Sequence, residues 1–159
     1  MNDSVSMNAG GEILNQDVPK QSNVIDLASI DTIKASNAGA EIELRHPVTN
    51  APLGVFITVL GKDSDAYREF QRHKFNDYLR NEAMAKARGK QPTAKSAEDY
   101  EDDMLTLLVS CTKGWRNVVF NAVTLPFTAE NVRRIYKSSP YVRDQINDAV
   151  GDLGNFVTS

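Results

Sequence analysis

Few side chains in this chain are equipped for chemistry. They are one cysteine (Cys111), two histidines (His46 and His73), a Gly61-Lys62-Asp63-Ser64 turn, and acids at Glu98, Asp99, Glu101, Asp102 and Asp103. A cysteine nucleophile needs a base beside it to form thiolate. Cys111 lies in the apolar helical run MLTLLVSCTKGW, which points instead to a small core residue. The Gly-Lys pair faintly resembles a phosphate-binding loop. That loop needs a glycine five residues earlier, where Phe56 stands, and Ser or Thr directly after the lysine, where Asp63 stands. A carboxylate there repels phosphate. Neither histidine has a cysteine or second histidine at ligand spacing, so no zinc site is expected. The acids crowd the start of a helix, where negative charge meets the partial positive end. No Ser-His-Asp or Cys-His arrangement follows from the spacing. The expectation is a non-enzymatic protein with no cofactor, no metal and no catalytic residue.

One stretch is basic. Residues 62–95 carry nine Lys or Arg against five Asp or Glu, a local charge of +4, with aromatic residues between the charges. Basic plus aromatic composition suits single-stranded nucleic acid. The plainer reading is a solvated helix face with Tyr67, Phe70 and Tyr78 turned to the core, and it is preferred. Arg72, Arg80 and Lys86 on this helix are candidate contacts for a protein partner.

The elements that must position these residues follow from hydropathy. Residues 1–22 are rich in Asn, Ser, Gly and Gln and are read as disordered. Residues 23–159 form one domain. Val24, Ile25, Leu27, Ile30 and Ile33 suggest a short docked helix or turn. Ala40–His46 alternates, with Ile42 and Leu44 on one side, and Val55–Leu60 is β-branched and aromatic, predicting a β-hairpin over about 40–60. Ser64 or Asp63 caps a helix running to about Arg88. Ser96 caps the next, with Met104, Leu108, Cys111 and Trp115 as one helical stripe. Thr128 caps a short helix to about Lys137. Ser139-Pro140 opens a last one, with a Ser cap, which Gly154 ends. The prediction is an α+β fold, with an N-terminal hairpin and a mainly helical body of about four helices over about 64–153.

The totals bound the class. The chain has 159 residues, 41% hydrophobic, with a net charge of −3. No apolar run approaches the roughly 18–20 residues of a spanning helix. MNDSVSMNAGG has neither a basic start nor a hydrophobic stretch, so no signal peptide is expected. One cysteine permits no internal disulfide and fits a reducing cytoplasm. A weakly acidic chain has no global attraction for nucleic acid or anionic lipid.

Several of these pieces occur in a suggestive order. The hairpin carrying Ile42-Glu43-Leu44-Arg45-His46-Pro47-Val48-Thr49 and Leu53-Gly54 precedes an apolar helix ending in Gly114-Trp115. Leu125-Pro126-Phe127-Thr128-Ala129-Glu130-Asn131 then leads into the final helices, which end near Asn155-Phe156. Over roughly residues 24–157 this resembles the tail assembly chaperones of long-tailed bacteriophages. The family pattern has a glycine about where Ala122 stands. The resemblance implies binding to the long, aggregation-prone tape measure protein, recruitment of tail tube protein and self-association. It implies action in the host cytoplasm and absence from the finished virion. Trp115, Pro126, Phe127 and Thr128 are then the structural core of the family-like motif. The Phe156-Val157 tail and the N-terminal segment join Arg72, Arg80 and Lys86 as candidate client contacts, although Phe156 also reads as core. The rival readings are a small structural virion protein, such as a tail completion or connector component, and a single-stranded nucleic-acid accessory protein.

Overall fold

Residues 23–158 are described by a computed structural model, and the expected disorder of 1–22 lies outside them. The chain is mixed helix and sheet. Helix α1 (Thr32–Ala38) leads into strands β1 (Ala40–Arg45) and β2 (Pro52–Val59), then the long helix α2 (Asp65–Ala87) and helix α3 (Ala97–Cys111). Strand β3 (Thr112–Arg116) follows α3 directly. A small ribbon of β4 (Val119–Phe120) and β5 (Val123–Thr124) leads to helices α4 (Ala129–Ser138) and α5 (Pro140–Gly151). Short 3-10 turns stand at Leu27–Ser29 and Leu153–Asn155.

β2 is the centre of an antiparallel sheet, with β1 on one side and β3 on the other. Ile42, Ile57 and Trp115 share a register row on the face turned to the helices. On the opposite face, Arg116 stacks over the Phe56 ring at 3.6 Å and grips the Glu41 carboxylate through two nitrogens, at 3.0 and 2.7 Å. The Gln145 side chain acts as a further strand partner for β1. It accepts from the Arg45 amide at 2.9 Å and donates to the Arg45 carbonyl at 2.7 Å. The core lies between the sheet and α3, α4 and α5, with Ile57, Val59, Leu108, Tyr136, Ile146 and Val150 all but fully buried.

Several expectations need correction. Trp115 is not on a helical stripe, because α3 stops at Cys111 and Trp115 lies in β3. The buried line of α3 is Leu105, Leu108 and Cys111, while Met104 is exposed. Thr112 ends the helix. Its hydroxyl donates to the Leu108 carbonyl at 2.7 Å and receives a hydrogen bond from the buried Tyr136 hydroxyl at 2.7 Å. The following residues then satisfy the open edge of β2, and strand pairing overrides the helical period. The apolar residues at 24–33 do not dock: Val24, Ile25, Leu27, Ile30 and Ile33 are exposed, and only Ser36 of α1 is buried. Ser139 makes no side-chain cap, since Pro140 already sets the first turn of α5. α5 ends at Gly151, before Gly154, whose amide is instead bonded by Asp152.

Two backbone positions carry special constraints. Asn121 and Ala122 both have positive φ, 51° and 61°, in the turn joining β4 to β5. That turn geometry favours glycine, and a left-handed alanine costs about 1–2 kcal/mol. A Cβ on Gly61 would meet Ser36 Oγ at 2.5 Å, Ser36 Cβ at 2.9 Å and Phe156 Cδ2 at 3.0 Å. Opposite signs are therefore expected in denaturant titrations. Ala122→Gly stabilises by about 0.5–1 kcal/mol, after allowing for glycine's extra unfolded entropy. Gly61→Ala destabilises by about 1–3 kcal/mol through overpacking.

Candidate protein-binding surface

α2 begins and ends on strong local signals. The Ser64 hydroxyl accepts the Tyr67 amide at 3.3 Å, and Asp65 adds negative charge to the first turn. At the other end Gly89 has φ 65°, its amide bonds the Lys86 carbonyl at 3.0 Å, and the Lys90 amide bonds Ala85 at 2.9 Å. This pair of bonds closes the helix as a Schellman motif. Twenty-three residues at about 1.5 Å each give a rod about 35 Å long.

The rod buries no residue of its own. Its first half is anchored by half-buried Ala66, Tyr67, Phe70 and Lys74; beyond Lys74 only Glu82 and Ala85 are even half-covered. Lys74 bridges to Asp103 of α3 at 2.7 Å, and Lys95 meets the same carboxylate at 2.7 Å. Burial alone would raise the Asp103 carboxyl, but the two ammonium groups outweigh it and hold the group below its usual range. Tyr78 lines an open cleft of about 840 Å³ between α2 and the acidic start of α3.

The outer side of α2 is apolar and basic. Phe75 is 60% exposed and Leu79 46%. At 3.6 residues per turn, Arg72, Phe75, Leu79, Ala83 and Lys86 fall within roughly 80° of one another. Tyr78 and Met84 are also exposed, but lie about 60° and 100° outside this stripe. The aromatic residues beyond Phe70 are thus not turned to the core, which corrects the expectation for Tyr78. The reason is that α3, α4 and α5 fill the sheet face and leave α2 only its base to pack. Arg72 and Lys86 border the stripe, whereas Arg80 stands about 60° beyond its edge and faces Asp77 at 3.7 Å.

The remaining candidates separate by burial. Phe156 is 7% exposed and wedged against Gly61 and Ser36, so it is a core residue and not a client contact; Val157 is half-buried beside it. Trp115, Pro126, Phe127 and Thr128 come together. The Trp115 indole donates to the Leu125 carbonyl at 3.0 Å and meets the Phe127 ring edge-on at 5.6 Å. Asn131 reaches back to the Pro126 carbonyl at 2.9 Å, and the Thr128 hydroxyl accepts the Asn131 amide at 3.1 Å. These bonds fix the approach to α4, while Phe127 stays partly open to solvent.

The groups considered for chemistry are dispersed. Cys111 is fully buried, and burial pushes its thiol up, away from thiolate. His46 Nδ1 accepts the amides of Val48 and Thr49, each at 3.2 Å, and so builds the β1–β2 turn. His73 lies exposed on α2, 3.6 Å from Glu69. Among the described residues no three His, Cys, Asp or Glu side chains gather as a metal site, and no helix is long and apolar enough to cross a membrane. Phe75 and Leu79 were missed as surface candidates. Their i,i+4 spacing, offset from the Tyr67–Phe70 line, was the available signal.

No protein-family model, curated protein or solved structure matches the chain. The surface reading therefore rests on geometry, and stability measurements check it. Phe75→Ser with Leu79→Ser is expected to change unfolding free energy by less than about 0.5 kcal/mol, as for exposed sites. Phe156→Ala is expected to cost about 3–5 kcal/mol. A large loss from the α2 pair in denaturant titration would mean that Phe75 and Leu79 pack inside the protein.

Proposed function

We propose that this chain is a non-enzymatic tail assembly chaperone of a long-tailed bacteriophage. In this reading it is an α+β protein whose N-terminal hairpin anchors a helical body. The outer face of α2 binds the tape measure protein and keeps it soluble. Tail tube protein then takes the client over, in the host cytoplasm, and the chaperone does not remain in the virion. The observation that carries the reading is the exposed Phe75–Leu79 stripe, bordered by Arg72 and Lys86, on a helix that buries nothing of its own.

The physics of the client fits such a face. A long amphipathic helix outside its tube exposes an apolar stripe that must be covered. A helix presenting apolar anchors at i and i+4 covers it reversibly. Several copies along one client add avidity without requiring tight single contacts. Basic residues beside the anchors supply attraction for acidic positions on the client and suppress stacking of like faces. The order of the hairpin, the Gly114-Trp115 pair and the Pro126-Phe127-Thr128 turn supports the same assignment by resemblance.

A second reading draws on the same face. Exposed Phe75 and Tyr78 among Arg72, Arg80 and Lys86 also suit stacking on single-stranded nucleic acid. That binding would weaken steeply with salt, whereas apolar capture of a client helix would not. The test is co-expression with the tape measure protein encoded nearby. Wild type is expected to render the client soluble and co-elute with it; Phe75→Asp with Leu79→Asp, folded by circular dichroism, is expected to lose both. An insoluble client with wild type sinks the chaperone role. Finding the chain in purified particles would favour a structural virion protein instead.

A further inference from the structure

We infer that the outer face of α2 selects its client segments by charge spacing. It takes a helix with carboxylates fourteen residues apart and apolar residues between them, and it rejects a second copy of itself. The inference rests on α2 being the docking face, and it names the class of client segment that this face accepts.

The spacing comes first. Arg72, Phe75, Leu79, Ala83 and Lys86 are separated by three, four, four and three residues, and all five are exposed. An eleven-residue step, as from 72 to 83 or from 75 to 86, closes three turns at about 3.67 residues each, so the line stays on one side of a nearly straight helix. Three apolar positions are thus closed at each end by a cation, with about 21 Å from Arg72 to Lys86. Arg72 has no carboxylate partner among the described residues. Lys86 meets Glu82 at 3.6 Å and keeps its side chain 76% exposed. Arg68, one turn before Arg72 on the same line, is paired with Asp65 at 2.8 Å. Glu69 and Glu82 stand about 80° and 60° to the sides of Leu79. From Arg68 to Lys86 the outward line therefore carries only positive charge.

The same spacing bars self-pairing. It reads alike in both directions, so a second copy can lie parallel or antiparallel. Parallel and in register, Arg72 and Lys86 each meet their own counterpart. Antiparallel about Leu79, Phe75 of each copy falls opposite Ala83 of the other, a fit of large to small, but Arg72 falls opposite Lys86 at both ends. Like charges meet in either arrangement, and such contacts penalise the wrong partner. A helix with Asp or Glu at the two end positions turns both penalties into attractions and keeps the apolar contact. The unequal sizes of Phe75 and Ala83 then set its direction, with a small client residue against Phe75 and a large one against Ala83.

Peptides test the selection. Two labelled, alanine-rich helical peptides carry leucine three, seven and eleven residues after a first charged position, and a second charged position fourteen after it. One has glutamate at both positions, the other lysine. Each is titrated with the full chain at about 0.1 M salt and read by fluorescence anisotropy. The glutamate peptide is expected to bind wild type about ten-fold more tightly or better, with the gap shrinking several-fold at about 1 M salt, where the screening length is about 3 Å. Arg72→Glu with Lys86→Glu, folded by circular dichroism, is expected to prefer the lysine peptide. Equal binding of the two peptides, binding of neither, or an unchanged preference in the reversed chain overturns the inference. A wild-type dimer that Phe75→Asp breaks, by analytical ultracentrifugation, contradicts the exclusion of a second copy. A single-stranded oligonucleotide that binds wild type more tightly than the glutamate peptide assigns the face to nucleic acid instead. Client capture is read separately by co-elution with the tape measure protein. Capture without peptide discrimination removes only the charge selection, and discrimination without capture removes only the chaperone role.

Discussion

Three consecutive backbone amides hold this fold together. Leu60 donates to the Cys111 carbonyl at 2.8 Å, Gly61 to Ser36 at 3.1 Å and Lys62 to Val150 at 3.0 Å. They tie the end of β2 to the end of α3, to α1 and to α5. Buried amides left without partners cost about 1–3 kcal/mol each, so the three bonds fix one another's geometry. Gly61 is required there because Ser36 and Phe156 occupy the space of a side chain. Three residues later Ser64 is buried, its amide bonds the Gly61 carbonyl, and its hydroxyl caps α2. The direction in which α2 leaves the body is thus set by the same knot that closes the core.

A second junction explains why α2 is left uncovered. At Thr112 the chain turns from helix into strand without a loop. The Tyr136 hydroxyl donates to Thr112, which donates to Leu108, a relay in which each bond strengthens the next. Burial drives the Tyr136 phenol well above its usual titration range, so it stays a neutral donor. With β3 in place, one face of the sheet is covered by α3, α4 and α5. Ion pairs from Arg133 to Asp102 and from Arg143 to Glu101 lock α4 and α5 to the outer side of α3. Beyond Lys74, α2 is left almost without cover.

What was legible in the sequence follows from how local each signal is. Helix starts were readable because capping is a matter of a few adjacent residues: Ser64, Thr128, and Ser96 with its reciprocal bond to Asp99 all act as their types suggest. β3 was not readable. Thr112 to Arg116 continues the helical spacing of α3, and only the open edge of β2, distant in sequence, converts it to strand. The exposure of Phe75 and Tyr78 was hidden for the same reason. An amphipathic stripe shows that a helix has an apolar side, but not whether the rest of the chain has a surface left to meet it. Phe156 read both as core and as a tail contact, because its burial depends on packing beside Gly61, nearly a hundred positions earlier.

The central claim is that a rigidly rooted helix offers its outer side to a client. Hydrogen exchange on the chain alone and on its complex with the tape measure protein tests it most directly. Amides around Leu60–Lys62 should exchange slowly in both states, and those of residues 72–86 should slow by an order of magnitude or more only in the complex. Slowing confined to β3 or to the β4–β5 ribbon, with residues 72–86 unchanged, would contradict the claim and move the docking face to the sheet.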